Sequence, residues 1–479
     1  MRRVRLYDTR HREVRLFQPR FPPRVGMFVC GLTTYDDAHI GHGRFAVVFD
    51  VLARALRQWG YRVFYVQNVT NLDDKVIARA AEAGEDPLER SARYFRSWRS
   101  LMDRMRVTSV DHYPFATDYI PEIIEQIEQL ERGGYAYRAE DGSVYYAVSR
   151  FASYGRLSGQ EVASLRPGAR IERDPRKRSA EDFVLWKAAT PGEPSWESPW
   201  GPGRPGWHIE DTAITGRLLG PQYDIHGGGI DLLFPHHEAE IAQAEGASGR
   251  SPLVEYWMHN GLVRMDGEKM SKSLGNVASL EAALSEYGAM PLRLYYLNAH
   301  YRSPLDFRPR ESLAEARESY GRLRTTYDRL ALRARVAPEN GAALPADLEQ
   351  ASADTVAAMD DFLADDLRTR EAIATLFQWT RTIHELRDVD AYSAAAIEAL
   401  MGPFRWAETM LGLFPESGTD SPPKAIGGAV EVAIRARSRA RQRGDFPEAD
   451  RIRDELRAVG VDLEDGPDGT RWSLRLDGG

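Results

Sequence analysis

Residues 24–67 carry the pattern that most limits the folds open to this chain. Residues 24–31 are strand-like, 41–59 have helical patterning, and Arg62-Val63-Phe64-Tyr65-Val66-Gln67 reads as a second strand. A strand, a helix and a strand joined through a glycine-containing first turn form a βαβ unit. Such units build parallel sheets, and their chemistry sits in the loops at the strand ends. Helical patterns follow at 73–82, 87–105 and 119–133, whereas 134–200 changes to short aromatic strands and Pro/Trp-rich loops. That change predicts an insertion between two halves of a sheet domain. Strand-like and loop sequence is expected at 206–234, and beyond residue 310 apolar residues recur at helical spacing, as in Leu323, Tyr327 and Leu330. Residues 415–423, rich in Pro, Ser and Gly, read as a linker to a small terminal module.

The 479 residues suffice for about three domains. An Arg-rich start is followed by no apolar run that could serve as a signal core. The apolar stretch from Phe45 to Leu56 is broken by Asp50 and Arg54 and is too short to span a bilayer. These features predict a cytoplasmic protein without a membrane association. A net charge of −8 excludes a general polycation, so any nucleic-acid contact must come from a local basic patch. Of the 63 basic residues only six are lysine, and three of those fall in Asp73-Asp74-Lys75 and Lys269-Met270-Ser271-Lys272-Ser273. Where arginine serves almost everywhere, a retained lysine marks a site suited to a compact ammonium on a flexible stem.

Cys30 is the sole cysteine, so no intramolecular disulfide forms. By itself it is a metal ligand, a nucleophile or an inert buried thiol. His39-Ile40-Gly41-His42 lies where the first strand turns into its helix, a position with free backbone N–H groups and the positive end of the helix dipole. Two imidazoles there can donate to phosphate, and Gly41 lets a flat base approach the backbone. Lys269, Ser271, Lys272 and Ser273, between Gly267 and Gly275, offer a second phosphate-binding loop.

Together these two segments resemble the signatures of class I aminoacyl-tRNA synthetases. Val29-Cys30-Gly31, Thr33, Tyr35-Asp36, Ala38 to Arg44, Asn68-Val69-Thr70, Leu72 to Lys75, Asp182 to Lys187, Pro205 to Glu210, His226 to Gly229, Phe234 to Glu238 and Leu463 to Trp472 narrow the resemblance to cysteinyl-tRNA synthetase. It runs over nearly the whole chain. It implies an α/β fold: a Rossmann-like catalytic domain in two halves (1–115 and 204–260) separated by an inserted connective domain (116–203). A stem-contact region with the lysine-bearing loop (261–310), a helical bundle (311–413), a linker (414–424) and an anticodon-binding module (425–479) would follow.

The resemblance further implies ligation of L-cysteine to tRNA(Cys) by a monomer, through a cysteinyl-adenylate made from ATP with Mg²⁺. His39 and His42, with Gly41, would contact ATP; Lys269 and Lys272, with Ser271 and Ser273, would hold its phosphates, Lys272 carrying the greater catalytic role. Gly31, Thr70, Trp207, His226 and Asp231 match positions around the amino acid. One Zn²⁺ per chain would select cysteine over serine, since it binds a thiolate far better than a hydroxyl. Its ligands fall on Cys30, Asp211, His236 and Glu240. The family most often has cysteine where this chain has Asp211; aspartate also binds zinc and carries the same charge. Spacing independently puts His236 and Glu240, four apart, on one helix face. Arg435, Arg437, Arg439, Arg441 and Trp472 would meet tRNA through phosphates and stacking, unless Glu448, Asp450, Asp454 and Glu455 neutralise that helix. Two other functions stay open: a cysteine ligase acting on an amino sugar in thiol biosynthesis, against which the terminal module argues, and a noncatalytic tRNA-binding paralogue, against which the intact phosphate motifs argue.

Overall fold

The structure, a computed structural model, describes residues 1–160, 174–265, 268–269, 278–338, 340–386, 389–415, 424–458, 461–466 and 469–474. Two compact units are present, Met1–Phe414 and Pro415–Gly479.

A hairpin of β1 (Arg5–Asp8) and β2 (Glu13–Leu16) precedes β3 (Arg24–Thr33), α1 (Ile40–Gln58) and β4 (Arg62–Thr70). The βαβ unit expected at 24–67 is therefore present. α1 buries its Val, Phe and Leu residues almost all round, including Phe45, Val47, Val48, Phe49, Val51 and Leu52, because it lies between the sheet and later helices. α2 (Asp74–Ala83) starts on an Asp73 cap that accepts from the Val76 N–H, and α3 (Pro87–Arg104) on an Asp86 cap followed by a first-turn proline.

α4 (Ile120–Arg132) leads into an antiparallel sheet of β5 (Ala136–Arg138), β6 (Val144–Tyr146), β7 (Phe183–Ala188) and β8 (Gly203–Pro205). An edge drawn between 203 and 204 cuts through β8, and the apolar core under this sheet reaches Ile209, Ala213, Ala239 and Ala242. The inserted segment therefore shares its core with the second half of the sheet domain.

Residues 206–234 depart from the strand-and-loop expectation. Trp207–Leu218 form a helix, α5. Ile209 through Thr215 are all buried, so no polar face alternates with an apolar one and the helical period is invisible in the sequence. β9 (Tyr223–Gly229), α6 (Glu238–Ser248) and β10 (Val254–Asn260) then complete a second βαβ unit. The main sheet has the order β10-β9-β3-β4 with every pair parallel.

β11 (Val263–Met265) pairs with β12 (Glu268–Lys269) and with the later β13 (Leu305–Phe307), which α7 (Leu280–Tyr287) and α8 (Ala289–Leu297) precede. Longer helices come next: α9 (Pro309–Val336), α10 (Ala346–Ala364), α11 (Thr369–Glu385) and α12 (Ala394–Leu411). One continuous apolar core joins them to the sheet domain. A fully buried ion pair lies within that core: Arg293 on α8 donates to Asp50 on α1, to the Leu411 carbonyl at 2.6 Å and to the Met105 carbonyl at 2.9 Å.

The second unit contains α13 (Lys424–Gln442), α14 (Phe446–Ala458) and a hairpin of β14 (Val461–Gly466) and β15 (Gly469–Leu474).

Candidate active site

In the main sheet β3 and β9 are neighbours, yet the chain leaves β3 toward β4 on one side and β9 toward β10 on the other. Their C-terminal ends thus diverge, and a crevice opens at this switch of strand order. A cavity of about 270 Å³ occupies it, lined among others by Cys30, Gly31, His39, His42, Thr70 and Asp231. On β3 the register against β4 shifts between Val29 and Leu32, which turns Cys30 and Gly31 out of the regular ladder. Only glycine fits at 31: a Cβ there would lie 1.8 Å from the Asn68 carbonyl oxygen. The Gly31 N–H donates to the Asn68 side chain at 2.6 Å, and the Asn68 amide donates in turn to Asp211.

The four expected metal ligands converge. One donor atom from each of Cys30, Asp211, His236 and Glu240 lies within 4.8 Å of every other, and all four residues are buried. His236 comes from the wide turn Leu233–His237 that runs into α6, so the four-residue spacing to Glu240 closes across that junction. A tetrahedral zinc with ordinary bond lengths needs S···O edges of about 3.6 Å and N···O edges of about 3.3 Å. Cys30 Sγ lies 3.6 Å from Asp211 and 3.7 Å from Glu240, while His236 Nε2 lies 2.9 Å from Asp211 and 3.0 Å from Glu240. The donors therefore fit a tetrahedral dication, with the N···O edges drawn in by hydrogen bonds.

The electrostatics agree. Burial, with Glu240 and Asp211 alongside, pushes the Cys30 thiol up. Burial opposes charge on His236, but the Glu240 and Asp211 carboxylates raise it to about 10. Burial raises Glu240 even with His236 beside it. A buried cluster holding one thiol and two carboxylates is an environment that a divalent cation relieves.

Thr70, Trp207 and Asp231 line the same cavity as Cys30. Thr70 Oγ1 donates to Glu210 at 3.0 Å, and Trp207 stacks on His236 with ring centres 4.3 Å apart. His226 is the expected pocket residue that the cavity lining does not include. It is fully buried and outside the cavity lining, with Nε2 behind Cys30 at 3.4 Å from Sγ. Its strand, β9, runs in the sheet beside β3, and the Phe28–His226 register pair sets the imidazole under the cysteine.

At the other end of the cavity His39 is the N-cap of α1, and its ring stacks on His42 at 3.6 Å between centres. The His39 N–H donates to His42 Nδ1 at 3.2 Å, which ties the tetrapeptide into one unit with Gly41 on the cavity wall. Lys269 closes β12, its backbone opposite Arg264 of β11. Ser271, Lys272 and Ser273 lie outside the described residues.

On α13 the arginines at 435, 437, 439 and 441 do not share one face, since residues two apart on a helix point about 200° apart. Arg435, Arg439 and Arg441 are exposed, but Arg437 is buried, which corrects the expectation that it meets tRNA from the surface. The acids nearby pair with α14 arginines: Glu448 and Glu455 with Arg451, Asp450 and Asp454 with Arg453. Trp472 lies on β15 opposite Leu463.

Sequence reasoning gave no role to His208, His237, His259 or Arg44. His208, His226, His236, His237 and His259 gather around Cys30, five of the eleven histidines in the chain. That clustering between 208 and 259 was the available signal. Arg44 is fully buried and donates to five carbonyls: Gly261 at 2.8 Å, Leu262 at 3.1 Å, His300 at 3.2 Å, Tyr301 at 3.3 Å and Ser303 at 2.6 Å. It thereby hangs the cavity-lining loop at 261–262 from α1.

Residues 16–318 match the family described as tRNA synthetases class I (C) catalytic domain, and residues 425–472 match the cysteinyl-tRNA ligase anticodon binding domain. The cysteine--tRNA ligase of Alkalilimnicola ehrlichii is 47% identical over 95% of this chain and 96% of its own length. That of Methylobacillus flagellatus is 46% identical over 98% and 99%. Among solved structures, Mycobacterium tuberculosis methionyl-tRNA synthetase in complex with methionyl-adenylate aligns with a TM-score of 0.59 at 14% identity, covering 81% of this chain and 92% of that one. A leucyl-tRNA synthetase from Agrobacterium radiobacter aligns with a TM-score of 0.60 at 12% identity, covering 83% and 85%; at such identity these two likenesses speak for the fold alone. Parallel sheet, His39–His42 at a helix start, and near-full-length relatives converge: this chain belongs to the cysteine--tRNA ligase family of class I tRNA synthetases.

Proposed function

We propose that the chain activates L-cysteine with ATP and Mg²⁺ and transfers it to tRNA(Cys). The observation that carries this is one cavity whose two ends offer different chemistry: a sulfur, carboxylate and imidazole cluster at one, and a helix N-terminus with paired histidines at the other. Cys30, Asp211, His236 and Glu240 would hold Zn²⁺, which supplies a thiophilic contact that serine's hydroxyl matches poorly. Asp231 faces the cavity as a carboxylate for the substrate ammonium, Thr70 lies close enough to orient its carboxylate, and Trp207 walls off water.

The substrate carboxylate then attacks the α-phosphorus of ATP and pyrophosphate leaves. His39 and His42 donate to phosphate oxygens from the α1 terminus, and Gly41 gives the base room against the backbone. Lys269 and Lys272, with Ser271 and Ser273, neutralise the departing pyrophosphate. Preorganised donors of this kind act on charge that develops only in the transition state, so they raise rate more than affinity. In the second step the terminal ribose of tRNA displaces AMP from the adenylate carbonyl.

Arg435, Arg439 and Arg441, exposed on α13, serve phosphate contacts with tRNA, and Trp472 on β15 serves base stacking. We take the chain to act as a monomer, and no described helix is long and apolar enough to cross a membrane. We place the enzyme in the cytoplasm, where its tRNA is.

The deciding assay is charging of purified tRNA(Cys) with cysteine, and with serine as control, alongside ATP–pyrophosphate exchange. Cysteine-specific charging is expected. Exchange without transfer to tRNA would instead indicate the amino-sugar ligase, and absence of both the noncatalytic tRNA-binding protein.

A further inference from the structure

Cys30 and Glu240 belong to a second four-donor group, completed by His226 and His237 in place of Asp211 and His236, with its donor atoms also within 4.8 Å of one another and every residue buried. His237 Nε2 lies 3.2 Å and His226 Nε2 3.4 Å from Cys30 Sγ, and neither histidine lines the cavity. The two oxygens of Glu240 divide between the groups. Oε1 faces His236 at 3.0 Å, and Oε2 faces His226 at 3.3 Å.

Both imidazoles of this inner group have outer partners. Tyr223 Oη lies 2.6 Å from His226 Nδ1; His237 Nδ1 lies 2.8 Å from His259 Nε2, whose own Nδ1 reaches Thr9 Oγ1 at 2.8 Å. Imidazoles that ligate metals are held in this way, with one ring nitrogen hydrogen-bonded and the other aimed at the ion. With the proton of each ring on Nδ1, two imidazole lone pairs face one thiol, whose single proton cannot serve both. A cation between them satisfies both.

We propose that Cys30, His226, His237 and Glu240 form a second position for a d-block dication such as zinc, an alternative to the outer one built with Asp211 and His236. In this position Nδ1 of each histidine carries the proton, donated to Tyr223 or His259, and Nε2 binds the ion. The two positions share a thiolate and a carboxylate, so they compete for one ion. They differ in access. Asp211 and His236 line the cavity, whereas His226, His237 and Glu240 do not, so an ion in the inner position is closed to the amino acid. Two imidazoles and a thiolate also make the inner donor set softer than the outer set with its two carboxylates. Asp211 therefore shifts the balance inward relative to a chain with cysteine there. This inference extends the zinc-selection reading and uses its ligands.

The test uses the full-length chain and Co²⁺ as the probe, because thiolate-bound Co²⁺ absorbs in the near ultraviolet and its geometry shows in the visible. In the Asp211→Ala/His236→Ala variant, with far-ultraviolet circular dichroism unchanged, we expect about one Co²⁺ per chain to remain, with its thiolate band, and X-ray absorption to count two imidazoles instead of one. Adding His226→Gln and His237→Gln should abolish the band. A folded Asp211→Ala/His236→Ala chain that binds no Co²⁺, or a band that survives loss of both inner histidines, overturns the proposal. If the double variant does not fold, His236→Ala alone serves: two imidazoles per cobalt support the inner position and none refutes it. Wild-type zinc content and cysteine activation test the outer site separately.

Discussion

Arg44→Lys isolates a contact whose charge is kept while its geometry is lost. Arg44 is fully buried, and its five hydrogen bonds all run to backbone carbonyls, of residues 261, 262, 300, 301 and 303. Burial lowers its pKa to about 10, so the side chain stays protonated at neutral pH. A lysine ammonium has three N–H donors without the planar fork, so at least two of these contacts are lost. Four of these carbonyls also accept from the Asn260 side-chain amide or from the N–H of Leu305, Ser303 or Gly261, so each lost contact costs about the 0.5–1.5 kcal/mol net worth of a hydrogen bond, which puts Arg44→Lys at about 1–3 kcal/mol. The damage should be local, because Gly261 and Leu262 line the cavity and lead directly into β11, whose partner β12 holds Lys269. We expect a melting temperature lower by several degrees, and ATP–pyrophosphate exchange impaired through the ATP KM and kcat more than through the cysteine KM. A calorimetric scan and exchange kinetics at varied ATP and cysteine measure both. Wild-type melting together with wild-type exchange would refute the idea that these carbonyls depend on the guanidinium fork.

Cys30→Ser removes the one protein sulfur from both metal positions, so zinc content and cysteine-over-serine charging should fall sharply, whereas Asp211→Cys should keep both; metal analysis and tRNA charging decide. Lys272→Ala should slow adenylate formation by orders of magnitude and leave the cysteine Kd largely unchanged, and a raised Kd with an intact activation rate would contradict its assignment to the pyrophosphate. Burial works against ionised Asp50, but Arg293, Arg54 and Ser109 hold its carboxyl below the usual range. The stability it contributes is therefore present above the unfolded carboxylate pKa of about 4 and is lost as pH falls through the lower folded value. Asp50→Asn should lower the melting temperature at pH 7 and flatten its decline below about pH 4, and an unchanged acid limb would exclude Asp50 as its source.

Much of the site was legible because its residues sit in short runs with strong local preferences. His39–His42 at a helix start and Cys30 at a strand end follow from patterning alone, and their nearness at one end of the sheet follows from the βαβ order. α5 was not legible. Its residues from Ile209 to Thr215 are buried on all sides, so the amphipathic signature of a helix is erased where Asp211 is placed. The placement of His226 was not legible either, since strand parity and a neighbour's register, set by Phe28, decide which side of β3 an imidazole reaches.

The residues themselves settle the chemistry on offer: one thiol, few lysines, and histidines concentrated between 208 and 259. Which of those groups meet is settled by the parallel packing of β9 against β3, which brings Cys30 within reach of residues some 180 to 210 positions away. Such contacts depend on long loop closures and on burial from several elements at once, neither of which has a local trace in the chain. Two overlapping donor sets around one thiol, and Arg44 under the cavity loop, exist only after that packing.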